Sequence, residues 1–133
     1  MVLSADAEHT LLTLHARARR WFQLGGHIEP TDATLAAAAD RELAEESGIP
    51  GLAVDPAPVQ LDLHAVDFCG PTPARHLDVR FVAVAPAGVE PAASEESLQV
   101  AWWPVTDLPS DEPSLHSLVA AARTRVGAAP IRP

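Results

Sequence analysis

The segment RELAEESGI, Arg41–Ile49, places three carboxylates immediately before a glycine. On a helix, Glu42, Glu45 and Glu46 occupy positions i, i+3 and i+4, so they share one side and repel one another. Near a helix C-terminus they also face the negative end of the macrodipole. A cluster of this kind requires a positive partner that compensates both effects.

The residues around this segment predict a helix. In the longer stretch TDATLAAAADRELAEESG, either Thr31 or Asp32 is a plausible N-cap. A dense run of alanines follows, and Gly48 is the expected stop. We therefore predict one helix between these boundaries, correct to within a turn.

The acidic side chains lie close to the predicted packing face of this helix. At about 100° per residue, that face contains Leu35, Ala39 and Leu43. Glu42 and Glu46 project within roughly 60° of it. They should therefore border the core, whereas an ordinary surface charge run would lie on the far side.

Three carboxylates on one helical side suit a hard divalent cation such as Mg²⁺ or Mn²⁺, because these ions take several oxygen ligands and cancel the repulsion. The alternative is a solvated acidic helix end, which is common. The ordered pattern REL-EE-GI favours metal binding, because it fixes five residue identities and two apolar positions. Arg41 can pair with Glu45 at i+4 or hold a neighbouring carboxylate still.

Together with the residues before it, the acidic segment resembles the Nudix box of the Nudix hydrolase family. The box reads G, five residues, E, seven residues and then R-E-U-x-E-E-x-G-U, where U is bulky and aliphatic. The stretch GHIEPTDATLAAAADRELAEESGI carries it. The matching residues are Gly26, Arg41, Glu42, Leu43, Glu45, Glu46, Gly48 and Ile49. In two departures, Asp32 stands in place of the first glutamate, and eight residues separate it from Arg41.

The resemblance implies a fold and an activity. The fold would be the α/β Nudix-type α/β/α sandwich around a mixed β-sheet, and residues 1–133 would form one such domain. The activity would be metal-dependent hydrolysis of a pyrophosphate bond in a nucleoside diphosphate-linked or similar small phosphorylated substrate. The alternative is a sensor domain on the same fold that binds a nucleotide without cleaving it.

Individual residue roles also follow from the resemblance. Glu42, Glu45 and Glu46 would bind Mg²⁺ or Mn²⁺, with a further oxygen from the backbone of Gly26. One of the glutamates, Glu42 or Glu45, would serve as general base in catalysis. Arg41 would orient Glu42.

Composition excludes several classes of partner. The formal net charge of −9 opposes binding to nucleic acid polymers or to an acidic membrane surface. No apolar run approaches the roughly 20 residues needed to cross a bilayer, and the N-terminal MVLSADAEHT lacks the features of a signal peptide. We therefore expect a cytoplasmic protein. The single cysteine, Cys69, allows neither an internal disulfide nor a cysteine-based metal cluster.

Alternation predicts strands on both sides of the helix. HTLLTLHA and WFQLGG precede it, and the glycine pair of the second strand allows a close backbone approach. VQLDLHAV and RHLDVRFVAV follow, each with one polar face, and we expect them to pair antiparallel. LQVAWWPV is a further strand, and PSLHSLVAAARTRVG is a C-terminal helix.

Several weaker candidates remain. The polar strand faces could line a pocket, where we favour Arg80 for a phosphate and His76 for base or sugar; a hydrated sheet face is the alternative. Glu96 could add a ligand; the alternative is that it lies in a solvent-exposed acidic turn. Trp102 and Trp103 should point to opposite sides and pack in the core, unless one of them stacks on a ligand or seals a homodimer.

Overall fold

The computed structural model describes residues 1–66, 74–93, 97–129 and 131. Its seven strands are β1 (Val2–Leu3), β2 (His9–His15), β3 (Trp21–Gln23), β4 (Gln60–Val66), β5 (Ala74–Arg80), β6 (Ala83–Val84) and β7 (Ser97–Pro104). Its two helices are α1 (Leu35–Ser47) and α2 (Pro113–Arg125). The predicted helices and strands are present, with one correction: RHLDVRFVAV, predicted as one strand, forms the two strands β5 and β6, which belong to different sheets. The short strand β1 is not among the predicted ones. Cys69 and Glu96 lie outside the described residues.

A mixed sheet is built around β2. Along its full length β2 pairs antiparallel with β7. Its other edge is shared, because β1 pairs with its first half and β3 with its second half, both antiparallel. The β1 strand also pairs with β6 in parallel. The parallel pair joins strands that are far apart in the sequence, and α1 lies in the connection between them.

Strand alternation divides the core into two layers, one on each side of the sheet. Neighbouring residues of one strand enter different clusters, since successive side chains point to opposite faces. One layer packs around Leu43 of α1 and contains Val2, Leu11, Leu24, Ile49, Ala83 and Ala85. The other packs around α2 and contains Leu3, Leu12, Val82, Leu115, Leu118 and Val119. The α/β/α sandwich is thus confirmed.

The tandem tryptophans follow the same rule. Trp102 packs against the α1 layer, whereas Trp103 packs against the α2 layer. In the α2 layer, Trp103 meets Trp21 edge-on, with ring centroids 5.2 Å apart. The prediction that they face opposite sides and pack in the core is confirmed.

Helix α1 begins later than the sequence predicts. Its N-cap is Thr34, whose hydroxyl accepts a hydrogen bond from the Ala37 N–H at 3.0 Å, and not Thr31 or Asp32. Asp32 is unavailable as a cap because its carboxylate is held by Arg41. The C-terminal end is as predicted, since Gly48 adopts a φ of 64°.

The packing face of α1 is also rotated from the predicted one. Ala38 and Leu43 are its buried apolar residues. Leu35, in the first turn, is 44% exposed. Because the helix begins only after Thr34, Leu35 lies in its first turn, two turns before the buried Leu43.

Strands β4 and β5 form a separate antiparallel hairpin, as predicted. The register aligns three polar cross-strand pairs on one face, namely Gln60 with Arg80, Asp62 with Asp78 and His64 with His76. The opposite face carries Leu61, Leu63 and Leu77, each more than half exposed. The hairpin therefore turns its polar face toward the rest of the chain.

No helix in the described part of the chain is long and apolar enough to cross a membrane.

Candidate active site

The backbone at Gly25 and Gly26 lies directly against the acidic side of α1. The Gly25 N–H donates a hydrogen bond to Glu46 Oε2 at 2.8 Å. A Cβ atom at Gly26 would lie 2.5 Å from the Glu42 carboxylate, so a larger residue would force one of the two groups to move. Only glycine permits this approach, which confirms the expected role of the glycine pair.

Arg41 connects the acidic residues of the helix to the loop before it. Its guanidinium grips the Asp32 carboxylate with two hydrogen bonds, of 3.1 and 3.0 Å. It also donates to Glu42 Oε1 at 2.9 Å and to Glu45 Oε2 at 3.1 Å. A further bond reaches the His27 carbonyl oxygen at 3.0 Å. One side chain thus fixes two glutamates relative to the loop.

Asp32 closes the loop that leads into α1. Its carboxylate accepts the Glu29 N–H at 2.7 Å in addition to the two bonds from Arg41. The Arg41 guanidinium, helped by that N–H, holds the pKa of Asp32 below its ordinary value. The bond to Asp32 in turn raises the pKa of Arg41. Aspartate, although shorter than glutamate, still makes the bidentate contact from this loop.

Charge around Arg41 is far from balanced. Four carboxylates approach its guanidinium, and Glu46 stands on the next turn of the helix from Glu42. These residues are Glu29, Asp32, Glu42, Glu45 and Glu46. With one guanidinium against five carboxylates, the group carries a net charge of four negatives at neutral pH. The charge compensation that the sequence required is therefore only partly supplied by Arg41.

The glutamates fit a hard divalent cation by donor type and by placement. Glu42 and Glu46 both line one cavity, one helical turn apart, beside the backbone of Gly26. Their donors are carboxylate oxygens, the ligands that Mg²⁺ and Mn²⁺ prefer. The Glu45 side chain is 59% exposed and is held at the edge by Arg41. The structure thus brings together the predicted residues Gly26, Arg41, Glu42, Glu45 and Glu46.

The cavity has a volume of about 880 Å³. That lies within the range of roughly 300–1,000 Å³ typical of small-molecule sites. One wall is the segment Gly25–His27 with the acidic side of α1, and another is the polar face of β4 and β5. A small molecule of that size can therefore contact both walls at once.

The second wall holds the predicted substrate contacts His76 and Arg80. Arg80 is nearly buried, with 7% of its side chain exposed. Its Nη2 donates to Asp62 at 2.8 Å and to Asp78 at 3.0 Å, and its Nη1 donates to Gln60 at 2.9 Å. A phosphate that contacted Arg80 would therefore compete with two carboxylates already in place.

Histidines bring the two walls close together. The rings of His27 and His76 are 5.3 Å apart, and those of His64 and His76 are 5.8 Å apart, all edge-on. The sequence favours His76 and Arg80 as contacts on this wall, and the structure adds His64, Asp62 and Asp78 to the same cavity. The alternating sequence pattern contained these residues, but only the register shows that they face one another.

Comparisons with known proteins identify the family and the fold. A family model described as NUDIX domain matches residues 1–122. Among curated proteins, none matches the chain.

Solved structures resemble the chain over most of its length. The C. elegans Ap4A hydrolase in a binary complex has 18% identity and a TM-score of 0.71, covering 95% of this chain and 93% of its own. The E. coli dihydroneopterin triphosphate pyrophosphohydrolase has 17% identity and a TM-score of 0.74, covering 89% and 87%. The NUDIX domain of Shewanella oneidensis NrtR, complexed with ADP ribose, has 19% identity and a TM-score of 0.61, covering 94% and 83%.

Proposed function

We propose that the chain, which belongs to the Nudix family, is a pyrophosphohydrolase that uses Mg²⁺ or Mn²⁺ to cleave the diphosphate linkage of a small nucleotide. The observation that carries the proposal is the meeting of Glu42, Glu46 and the Gly25–Gly26 backbone at one edge of the cavity. Neutralising this excess of carboxylate charge and binding an anionic substrate both call for a divalent cation.

Glu42 and Glu46 would hold the ion from the helix, the Gly26 carbonyl would add an oxygen, and Glu45 would complete the set from the exposed side. A divalent ion at this place supplies charge neutralisation for the phosphates and acidifies water. The protein supplies the positions of the carboxylates. Arg41 holds Glu42 and Glu45 from their shared side, and Asp32 holds Arg41.

A carboxylate oxygen of Glu42 is our preferred acceptor for the proton of the attacking water. Glu42 lines the cavity and its side chain is 16% exposed, whereas Glu45 is mostly exposed. The Arg41 guanidinium keeps the Glu42 carboxylate in place during that transfer. Glu45 is the other candidate, and of the two Gln variants below, the one with the larger loss in kcat at saturating metal identifies the base.

The substrate class rests on the cavity and on the structural relatives. The cavity is large enough for a nucleotide, and His76 and Arg80 stand on the wall opposite the glutamates. Two similar structures are named for nucleotide-derived compounds, Ap4A and ADP ribose. We therefore propose dinucleoside polyphosphates, ADP-ribose, nucleotide sugars and nucleoside triphosphates as the compounds to test.

The experiment measures release of phosphate and nucleoside monophosphate from this panel, with and without Mg²⁺ or Mn²⁺. Glu42→Gln, Glu45→Gln and Glu46→Gln are compared with Glu90→Gln, which changes an exposed glutamate outside the cavity. We expect wild type and Glu90→Gln to cleave at least one compound only with metal. The variant that lacks the general base should lose about 10²–10⁴-fold in kcat.

Two outcomes would contradict the proposal. Cleavage that persists unchanged in Glu42→Gln and Glu46→Gln would show that these residues do not hold the essential ion. Tight binding of one compound with no cleavage under any metal condition would replace hydrolysis with the sensor alternative.

A further inference from the structure

We propose that the chain has a second cation site, for an ion that prefers imidazole ligands such as Zn²⁺, formed by His64, His76 and Asp78 on the β4–β5 wall of the cavity. One ligand atom from each of these residues lies within 4.8 Å of the other two. The site lies beyond the proposed activity, because it uses other residues and a different class of donor from the acidic site on α1.

The hairpin register explains why these three residues meet. His64 and His76 are directly opposite each other, and Asp78 follows His76 by two residues on the same face of β5. Ligands around one Zn²⁺ with bonds of about 2.1 Å are separated by roughly 3.4 Å in a tetrahedral arrangement. Closing the group around an ion therefore requires the ligand separations to shorten by at most about 1.4 Å. The His64 side chain is 42% exposed and has the freedom to make them.

The charge of this wall favours a cation. Asp62 and Asp78 are cross-strand neighbours, and the Arg80 guanidinium contacts both of them. With neutral histidines, these three side chains leave one net negative charge beside the imidazoles. Asp62 Oδ2 also lies 3.2 Å from His64 Nδ1, and carboxylates in such a place commonly orient metal-bound histidines.

Donor chemistry separates this site from the one on α1. Two imidazoles with one carboxylate suit Zn²⁺ and its neighbours in the transition series, whereas carboxylate and carbonyl oxygens suit Mg²⁺ and Mn²⁺. All three ligand residues line the cavity. With three protein ligands, the remaining coordination positions are left to water or to a molecule in the cavity.

The experiment uses Co²⁺ as a spectroscopic probe and Zn²⁺ as its competitor. Chelator-treated protein is titrated with Co²⁺ in the presence of excess Mg²⁺, and the visible absorption of the bound ion is recorded. We expect uptake of one equivalent that Zn²⁺ displaces and Mg²⁺ does not. His64→Gln and His76→Ala should each weaken this uptake by more than about tenfold.

Matched variants locate the ion. His116→Gln changes an exposed histidine on α2 outside the cavity, and it should retain full uptake. Glu46→Gln removes a residue of the acidic site, and it should also retain Co²⁺ uptake even where Mg²⁺-dependent hydrolysis is lost. That pair of readouts separates failure of this proposal from failure of the hydrolytic one.

Several results would overturn the second site. The first is that the wild-type protein takes up no Co²⁺ in excess Mg²⁺, and the second is that uptake survives both histidine substitutions. Loss of uptake in Glu46→Gln or in Cys69→Ser would also place the ion elsewhere. Imidazole ¹⁵N spectra of the wild-type protein give an independent measurement that does not depend on the variants folding. Zn²⁺ should shift the ring nitrogens of two histidines, and unchanged ring signals would also refute the site.

Discussion

At the scale of single residues, the site depends on a glycine, which has no side chain to block a close approach, and on an arginine that makes many contacts. Gly26 lets the Glu42 carboxylate approach the backbone, and Arg41 then fixes the same carboxylate from the other side. Most of the Nudix-box residues that assemble here could be predicted from the sequence, because local spacing on a helix determines their side. The roles of Glu42, Glu45 and Glu46 as metal ligands stay predictions.

Gly26→Ala is expected to reduce activity much more than stability. The backbone φ of Gly26 lies outside the left-handed region, so alanine is allowed, but its Cβ displaces the Glu42 carboxylate. A misplacement of about 1 Å in a catalytic group can cost on the order of 100-fold in rate. Steady-state kinetics and urea unfolding would be measured together.

Gly88→Ala is the control for this variant. Gly88 has a φ of 76°, so alanine there strains the backbone by about 1–2 kcal/mol, but its Cβ meets no atom within 4 Å and it lies away from the cavity. This control should lose stability and keep its activity. Equal activity in Gly26→Ala and wild type would show that the contact with Glu42 is unimportant.

At the scale of helices and strands, the start of α1 differs from the prediction because it depends on a side-chain contact with a residue further along the chain. Thr31 and Asp32 have suitable side chains for an N-cap, but Arg41 recruits Asp32 and the helix begins after Thr34. The end at Gly48 was predicted correctly because a left-handed residue there depends only on local geometry.

Thr34→Ala should destabilise the protein by about 1 kcal/mol, the usual cost of removing an N-cap side chain. Its hydroxyl accepts the Ala37 N–H, which would otherwise lose its partner at the helix start. Thr31→Ala is the matched control and should change the free energy of unfolding much less. Denaturant unfolding of both variants measures the difference. A larger loss of unfolding free energy in Thr31→Ala than in Thr34→Ala would instead support Thr31 as the N-cap.

An ion pair between Arg125 and Asp55 links the last turn of α2 to the segment before β4. Arg125 Nε and Nη2 donate to the two oxygens of Asp55 at 2.8 and 3.0 Å. The Arg125 guanidinium, helped by the Ala57 N–H, holds the pKa of Asp55 below its ordinary value of 3.8. The folded state therefore binds this proton less readily than the unfolded chain, and the pair stabilises the fold above that pH.

Asp55→Asn should lower stability at neutral pH, with a gap to wild type that closes on acidification. The contribution of Asp55 is fully present above pH 3.8 and is lost as the pH falls through the lower folded value. Urea unfolding at about pH 7 and about pH 3 tests this sign. Asp111→Asn, at an exposed position, serves as the control. A gap that widens in acid would contradict the assignment.

At the scale of the whole molecule, the two apolar layers hold α1 and α2 against opposite faces of one sheet. The sandwich could be predicted from the resemblance to the Nudix family, and the alternation along β2 and β7 agrees with it by supplying apolar residues to both faces. The cavity wall made by β4 and β5 could be predicted only in part. Alternation revealed a polar face on each strand, but the pairing of His64 with His76 depends on a register set by residues distant in sequence.

Leu118→Ala tests the α2 layer. Leu118 is fully buried, so its truncation should cost roughly 2–5 kcal/mol in the free energy of unfolding. Leu77→Ala is the comparison, because Leu77 is 69% exposed and should change stability by no more than about 0.5 kcal/mol. Urea unfolding measures both. Equal effects would show that the α2 layer contributes little to stability.

In the β4–β5 hairpin, leucines face outward and charged residues face the cavity. Whether an insertion in these strands has an odd or an even number of residues therefore decides which side chains face the cavity. Adding one residue in the middle of β4 would exchange the faces of everything beyond it and bring a leucine into the cavity in place of His64. Adding two residues would restore the original face and shift only the partners. Odd-length changes here should therefore reshape what the cavity accepts far more than even-length ones, regardless of which amino acids are inserted.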